Sequence, residues 1–230
     1  MQKANLPTVE ELAAKINNTL VAPETSLEDL TRFVLESKAY GFGAVVIQGC
    51  WVQEVKQLLT GSGTKISVGL GYPMGGERTD TKLAEIRQTA QLGADMFDCM
   101  PNIGLLKSGL DIQFKEEMAS MVRAASGRPV RVMLEYSVLS PEEKVKAAVL
   151  SEEAGVAGVK NSSGWGRGGP ATVEDIRLLR RSVSPKVYVK ASGGIRNLDT
   201  ALSLIDAGAA YLGTRAGVAI IDELRERRFG

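Results

Sequence analysis

Short apolar runs alternate with longer amphipathic stretches along this chain, and the alternation repeats eight times. The apolar runs end near Leu20, Gln48, Gly69, Asp98, Glu135, Lys160, Ala191 and Gly213. Runs of this kind read as strands buried on both faces, and the stretches between them read as helices. Ser26-Leu-Glu-Asp29 is a capping-box-like start for a helix reaching Ala39, with Asp in place of the usual Glu or Gln. Phe114, Met118, Met121, Val122 and Ala125 recur at helical spacing as one apolar stripe. Pro141 belongs to the first turn of the following helix, and Val145, Ala148 and Val149 are expected to form its buried side.

A weak internal repeat sharpens this picture. Tyr40-Gly41, Leu92-Gly93, Ala154-Gly155 and Ala207-Gly208 each place glycine at a helix end, where a left-handed backbone is tolerated. The apolar runs 44–47, 94–97, 156–159 and 209–212 follow within a few residues. Helix, glycine, strand is the order that a parallel sheet with helical crossovers requires. Eight such units in 230 residues leave no room for a second domain. The expectation is an α/β chain: one (β/α)8 TIM barrel over residues 1–230, favoured over an open doubly wound sheet, with a short extra N-terminal helix over Pro7 to Lys15.

Composition narrows the chemistry. Lys plus Arg is 28 and Asp plus Glu is 27, a net charge of +1, which argues against nucleic acid or an anionic membrane surface as partner. No window approaches the roughly 20 apolar residues of a membrane span, and the opening residues lack a signal-peptide stretch, so a cytoplasmic protein is expected. There is no histidine. That excludes Ser-His-Asp and Cys-His catalysis, His-ligated zinc and imidazole acid–base work. Cys50 and Cys99 are too few for a zinc cage, and each is expected to be a buried, reduced thiol. No metal is expected.

In a barrel of this kind the active site lies at the C-terminal ends of the strands. The polar residues there are Asn17, Asn18 and Thr19, then Gln48, Asp98, Glu135, Lys160 and Lys190. Strand alternation puts Arg131, Met133 and Glu135 on one face, where Arg131 and Glu135 are expected to form a lumen ion layer. Lys160 and Lys190 end adjacent strands. Each reads as a solvated charge, as a phosphate-binding point charge, or as one of two crowded ammonium groups, of which burial and repulsion neutralise one. A neutral lysine attacks a carbonyl and forms a Schiff base. Glycine-rich segments follow strands 6, 7 and 8, at 162–169, 191–196 and 213–217, with Arg167 and Arg215 inside them. Loops in these positions present backbone N–H groups to an anion.

These residues together resemble the deoxyribose-phosphate aldolase family, the class I aldolases that work through a lysine Schiff base, and the likeness runs through essentially the whole chain. Gly93-Ala-Asp-Met-Phe-Asp-Cys-Met-Pro-Asn-Ile-Gly-Leu-Leu-Lys-Ser-Gly109 is similar to the family's strand-4 motif, Gly158-Val-Lys-Asn-Ser-Ser-Gly164 to its Schiff-base motif, and Val189-Lys-Ala-Ser-Gly-Gly-Ile-Arg196 to its second-lysine motif. The resemblance implies Lys160 as nucleophile, Lys190 as the cation that lowers its pKa, and Asp98 as a proton shuttle through water. It implies a phosphate resting on Ser163, Gly164, Gly193, Gly194, Gly213, Arg215 and Ala216, with Asn17 near the substrate hydroxyls. It implies no organic cofactor, a small phosphorylated or otherwise anionic aldehyde or ketone as partner, and a homodimer, although no segment marks an interface.

Several positions depart from the family pattern. Asn17 replaces an aspartate, Arg215-Ala216 replaces a serine pair, and Trp165 sits in a loop with one extra residue. An arginine fork grips phosphate firmly and suits a carboxylate equally. The expected activity is therefore reversible aldol cleavage of an anionic sugar-like substrate. Two enzymes remain as alternatives: an imine-forming enzyme on a carboxylated intermediate, and a phosphate-binding isomerase or synthase without an imine. A non-catalytic sugar-phosphate sensor comes last.

Overall fold

The computed structural model describes residues 6–165 and 169–230, so Arg167 lies outside the described residues. Eight parallel strands close on themselves in chain order: β1 (Ile16–Leu20), β2 (Ala44–Ile47), β3 (Lys65–Leu70), β4 (Met96–Cys99), β5 (Val130–Met133), β6 (Gly158–Lys160), β7 (Tyr188–Ser192) and β8 (Tyr211–Thr214). The barrel shuts where Asn17 of β1 pairs with Gly213 of β8. This is the expected (β/α)8 TIM barrel, with strand ends within two residues of the apolar runs.

The outer layer is α2 (Leu27–Ala39), α3 (Val52–Leu58), α4 (Thr79–Leu92), α6 (Asp111–Ala124), α7 (Pro141–Glu153), α8 (Val173–Ser182), α9 (Leu198–Asp206) and α10 (Gly217–Phe229). A short α5 (Ile103–Lys107) precedes α6, and α1 (Val9–Lys15) precedes β1. Thr8 caps α1 in a reciprocal capping box with Glu11. The chain then packs tightly at the bottom of the barrel: Gly43 N–H donates to Ala13 O, and a Cβ at Gly43 would lie 2.2 Å from Ala14 O. Only glycine fits there.

Two sequence expectations fail in this layer. On α7 the buried positions are Ala147, Ala148 and Ser151, whereas Val145 and Val149 are exposed. The inward stripe is centred between Ala147 and Ala148, and both valines lie well off that line at 100° per residue. Cys50 is exposed in the short turn Gly49–Trp51 after β2, while Cys99 is buried in β4.

The outward face of the sheet, with Val45, Val68, Val132 and Val189, packs on the helices as the main apolar core. The lumen is polar. Asn17, Ser67 and Arg131 come from alternate strands and meet in one layer: Arg131 donates to Asn17 Oδ1 at 2.6 Å and to Ser67 Oγ at 2.7 Å. Tyr188 completes the layer beside Arg131. Its ring fills the space in front of Gly158, where a Cβ would lie 2.4 Å from a ring carbon.

Candidate active site

Above that layer stand Asp98 on β4, Lys160 on β6 and Lys190 on β7, each at most 2% exposed. Lys160 and Lys190 are register partners on neighbouring strands, and both reach the same carboxylate. Lys190 Nζ donates to Asp98 Oδ2 at 2.6 Å, whereas Lys160 Nζ is 3.9 Å from that oxygen and sits 3.6 Å from Met133 Sδ. Asp98 Oδ1 forms an ion pair with Arg131 Nε.

The expected ion layer between Arg131 and Glu135 is not formed. Arg131 is taken by Asp98, Asn17 and Ser67. Glu135 lies past the end of β5 in a left-handed conformation (φ 49°, ψ 56°), which breaks the strand alternation. Its carboxylate turns instead to the loop after β6, accepting from Ser162 Oγ at 3.3 Å and Ser163 N at 3.2 Å.

The electrostatics follow from this geometry. Burial alone would raise the Asp98 carboxyl, but the charge of Arg131 first, then of Lys190 and Lys160, holds it well below the usual carboxylate range. Burial pushes both lysines down from the ordinary ammonium value, opposed by Asp98 and, for Lys160, by Glu135. The Arg131 charge lowers both further, and for Lys190 the Lys160 charge does so as well. Three buried cations around one carboxylate favour loss of a proton from the lysine pair, which titrates as a unit. Lys190 is driven down further than Lys160, while its short contact to Asp98 favours its charged form. Lys160 makes no hydrogen bond to Asp98 and lies beside the Met133 thioether.

A cavity of about 460 Å³ opens above this group at the C-terminal ends of the strands. Ser163, Gly164, Gly193, Gly194, Gly213, Arg215 and Ala216 all line it, joined by Thr19, Tyr72, Trp165, Ser192 and Thr214. Asn17 lies below it in the Arg131 layer, and Asn18 faces outward, donating to Ser37 Oγ at 3.0 Å. Gly213 has a positional reason. A Cβ there would lie 3.2 Å from Lys190 Cε and 2.9 Å from Ser192 Oγ, so its absence leaves room for the Lys190 and Ser192 side chains at the cavity edge.

The loops divide the work unevenly. After β6, Ser163 N donates to Glu135, Gly164 N to Ser162 Oγ at 2.9 Å and Trp165 N to Ser163 Oγ at 3.1 Å, so these amides are already used. After β7, Gly193 (φ 105°) and Gly194 (φ 68°) form a positive-φ turn whose amides make no hydrogen bond within the described residues. Successive amides of this kind make a concave anion site. Arg215, exposed on the rim, adds a guanidinium. A wider groove of about 610 Å³ between α4 and α6 also carries arginines. There Arg128 is held by the carbonyls of Ala90 and Ala94 and Arg123 by Glu116, at the N-terminal side of β4 and β5 and away from the C-terminal strand ends.

Tyr72 escaped the sequence reading, whereas Ser192 and Thr214 fell inside the glycine-rich segments 191–196 and 213–217 without being singled out. Tyr72 sits two residues beyond the end of β3, a place where strand-end polarity would have flagged it. Among the described residues, no cluster of His, Cys, Asp or Glu has a metal-holding arrangement, and no helix is long and apolar enough to cross a membrane.

Comparison with known proteins bears on this site. No family model matches the chain. It is 41% identical over 206 residues to the deoxyribose-phosphate aldolase of Streptococcus sanguinis, covering 90% of this chain and 93% of that protein. It is 41% identical over 214 residues to that of Dictyoglomus turgidum, covering 93% and 97%. Among solved structures, the tetrameric deoxyribose phosphate aldolase from Aeropyrum pernix superposes with a TM-score of 0.89 at 28% identity, over 96% of this chain and 94% of that one.

Proposed function

This chain belongs to the deoxyribose-phosphate aldolase family, and on that premise we propose that Lys160 is the amine through which it makes and breaks carbon–carbon bonds. The chain is a class I aldolase. The observation that supports Lys160 is the asymmetry of its carboxylate neighbour: Asp98 Oδ2 holds Lys190 at 2.6 Å and leaves Lys160 at 3.9 Å.

In the cleavage direction, the Lys160 amine adds to the aldehyde carbon of an open-chain β-hydroxy aldehyde, and loss of water leaves a protonated imine. The β-hydroxyl gives up its proton to water in the cavity, the bond between the α and β carbons breaks, and its electron pair moves into the imine to form an enamine. The departing fragment leaves as a second aldehyde that carries the anion. Protonation of the enamine carbon and hydrolysis then release the small aldehyde and restore the amine. Lys190 is the ammonium beside this path, and Asp98, held ionised, is its acceptor. Asp98 stays ionised beside Arg131 and Lys190 and shuttles protons through water, which takes the β-hydroxyl proton and returns one to the enamine carbon.

The anion lies on Gly193, Gly194 and Arg215 in this reading, with Gly213 and Ala216 beneath it and Ser163 and Gly164 as a side wall. Asn17 acts from below by orienting Arg131. Residues 1–230 form a single catalytic domain, a cytoplasmic location fits the charge balance, and a homodimer is the assembly carried over from the family.

Turnover of 2-deoxyribose 5-phosphate, followed by coupled detection of the aldehyde released, tests the reading. Release that disappears in Lys160→Ala supports it. Undiminished release by Lys160→Ala overturns it.

A further inference from the structure

Tyr72 stands apart from the lysine–aspartate group, yet it reaches the Ser163 carbonyl in the cavity wall. Its phenol donates to the Ser163 carbonyl at 3.0 Å, while the Ser163 N–H donates to Glu135 Oε2 at 3.2 Å. The backbone of Ser163 is thus gripped at its carbonyl from the β3 side and at its N–H from the β5 side. Glu135 holds its end from a left-handed backbone, which a non-glycine residue keeps only when its surroundings impose it. The wall continues to Trp165, whose N–H donates to Ser163 Oγ and whose ring meets the Tyr72 ring edge-on at 6.4 Å.

Tyr72 is itself held from behind. Lys82, 1% exposed, donates to Gly75 O in the same loop at 2.7 Å and pairs with Glu117 at 3.0 Å. Glu117 also accepts from Asn102 N at 2.7 Å, which ties the loops after β3 and β4 together.

We propose that Tyr72 is a positioning residue for the anion-bearing part of the substrate: with Glu135 it clamps Ser163 and fixes the Ser163–Trp165 wall beside the Gly193–Gly194 cradle. This rests on the aldolase reading above. The clamp touches neither lysine, so it sets how firmly the anionic end is enclosed and leaves imine formation alone.

Tyr72→Phe keeps the ring and deletes only the hydroxyl. Kinetics with 2-deoxyribose 5-phosphate and with unphosphorylated 2-deoxyribose, beside borohydride trapping of acetaldehyde, separate the cases. The expected result is a KM for the phosphorylated substrate raised about fivefold, the size of one lost neutral hydrogen bond. Its kcat, the KM for the unphosphorylated sugar, the trapping yield and the melting temperature stay as in the wild type. Glu135→Gln weakens the other grip and raises the same KM, and the double variant costs less than the product of the two single effects. An unchanged KM ratio between the two sugars in Tyr72→Phe overturns the proposal. So does an equal loss on both sugars together with a lower melting temperature, which marks a merely structural contact. Absence of trapping in the wild-type protein would instead sink the imine reading, so the two failures are distinguishable.

Discussion

Lys160 and Lys190 face each other in register across β6 and β7, yet only Lys190 is in hydrogen-bond contact with Asp98. One carboxylate serves two buried amines unequally, and that inequality is what supports the proposal of Lys160 as nucleophile.

The pH dependence follows directly. Activity needs neutral Lys160, whose pKa lies below the ordinary ammonium value, so kcat/KM rises with pH until that amine is deprotonated and is then flat. Lys190→Met removes a neighbouring cation and frees Asp98 for Lys160. Both changes favour the protonated amine, so the ascending limb moves to higher pH by at least about one unit. Initial rates across pH with both proteins check this.

Asp98→Asn leaves Arg131 and the lysines without their shared counter-charge. The expected loss of stability is about 3 kcal/mol, the scale of a broken buried ion pair, read from denaturant unfolding at neutral pH. The sign of the pH effect is fixed because the folded-state carboxyl is depressed. Its stabilisation is present above the ordinary value of 3.8 and fades only as pH falls below it toward the depressed folded value. Wild type and variant therefore differ by a constant amount near neutrality and converge in strong acid.

Lys160→Met is inactive but more heat-stable. The amine is 2% exposed and weakly partnered, so a thioether side chain in its place removes a desolvation cost of about 1 kcal/mol. Calorimetry beside an activity assay shows whether function and stability oppose each other here. A lower melting temperature would mean that the amine is better satisfied than its neighbours indicate.

Arg215→Ala raises the KM for the phosphorylated substrate about tenfold, the scale of one charge-assisted contact, and reduces its sensitivity to salt. The KM for unphosphorylated sugar is unchanged. Equal effects on both substrates would show that Arg215 shapes the rim and does not grip the anion.

Much of the barrel was legible because parallel strands buried on both faces are continuous apolar runs, four of them preceded by a glycine-marked helix end. The lysine positions were legible for the same reason: a charged residue at the end of such a run has only the barrel mouth to occupy. Partner choice was not. Alternation placed Arg131 and Glu135 on one face, but the left-handed turn at Glu135 ended the alternation there, and a positive φ on glutamate has no sequence signature. The glycine-rich look of 162–164 likewise hid that Glu135 and Ser162 already use its amides. Val145 and Val149 misled because hydrophobic identity was read without the exact helical phase that Ala147 and Ala148 set.

The most direct test of the central assignment is chemical capture. The protein is incubated with acetaldehyde at neutral pH, reduced with borohydride, digested, and the modified peptide located by mass spectrometry. An ethyl adduct on Lys160, absent from Lys160→Ala and retained with lower yield in Lys190→Met, is the predicted result. An adduct on Lys190 in the wild-type protein, or no adduct on either lysine, would contradict it.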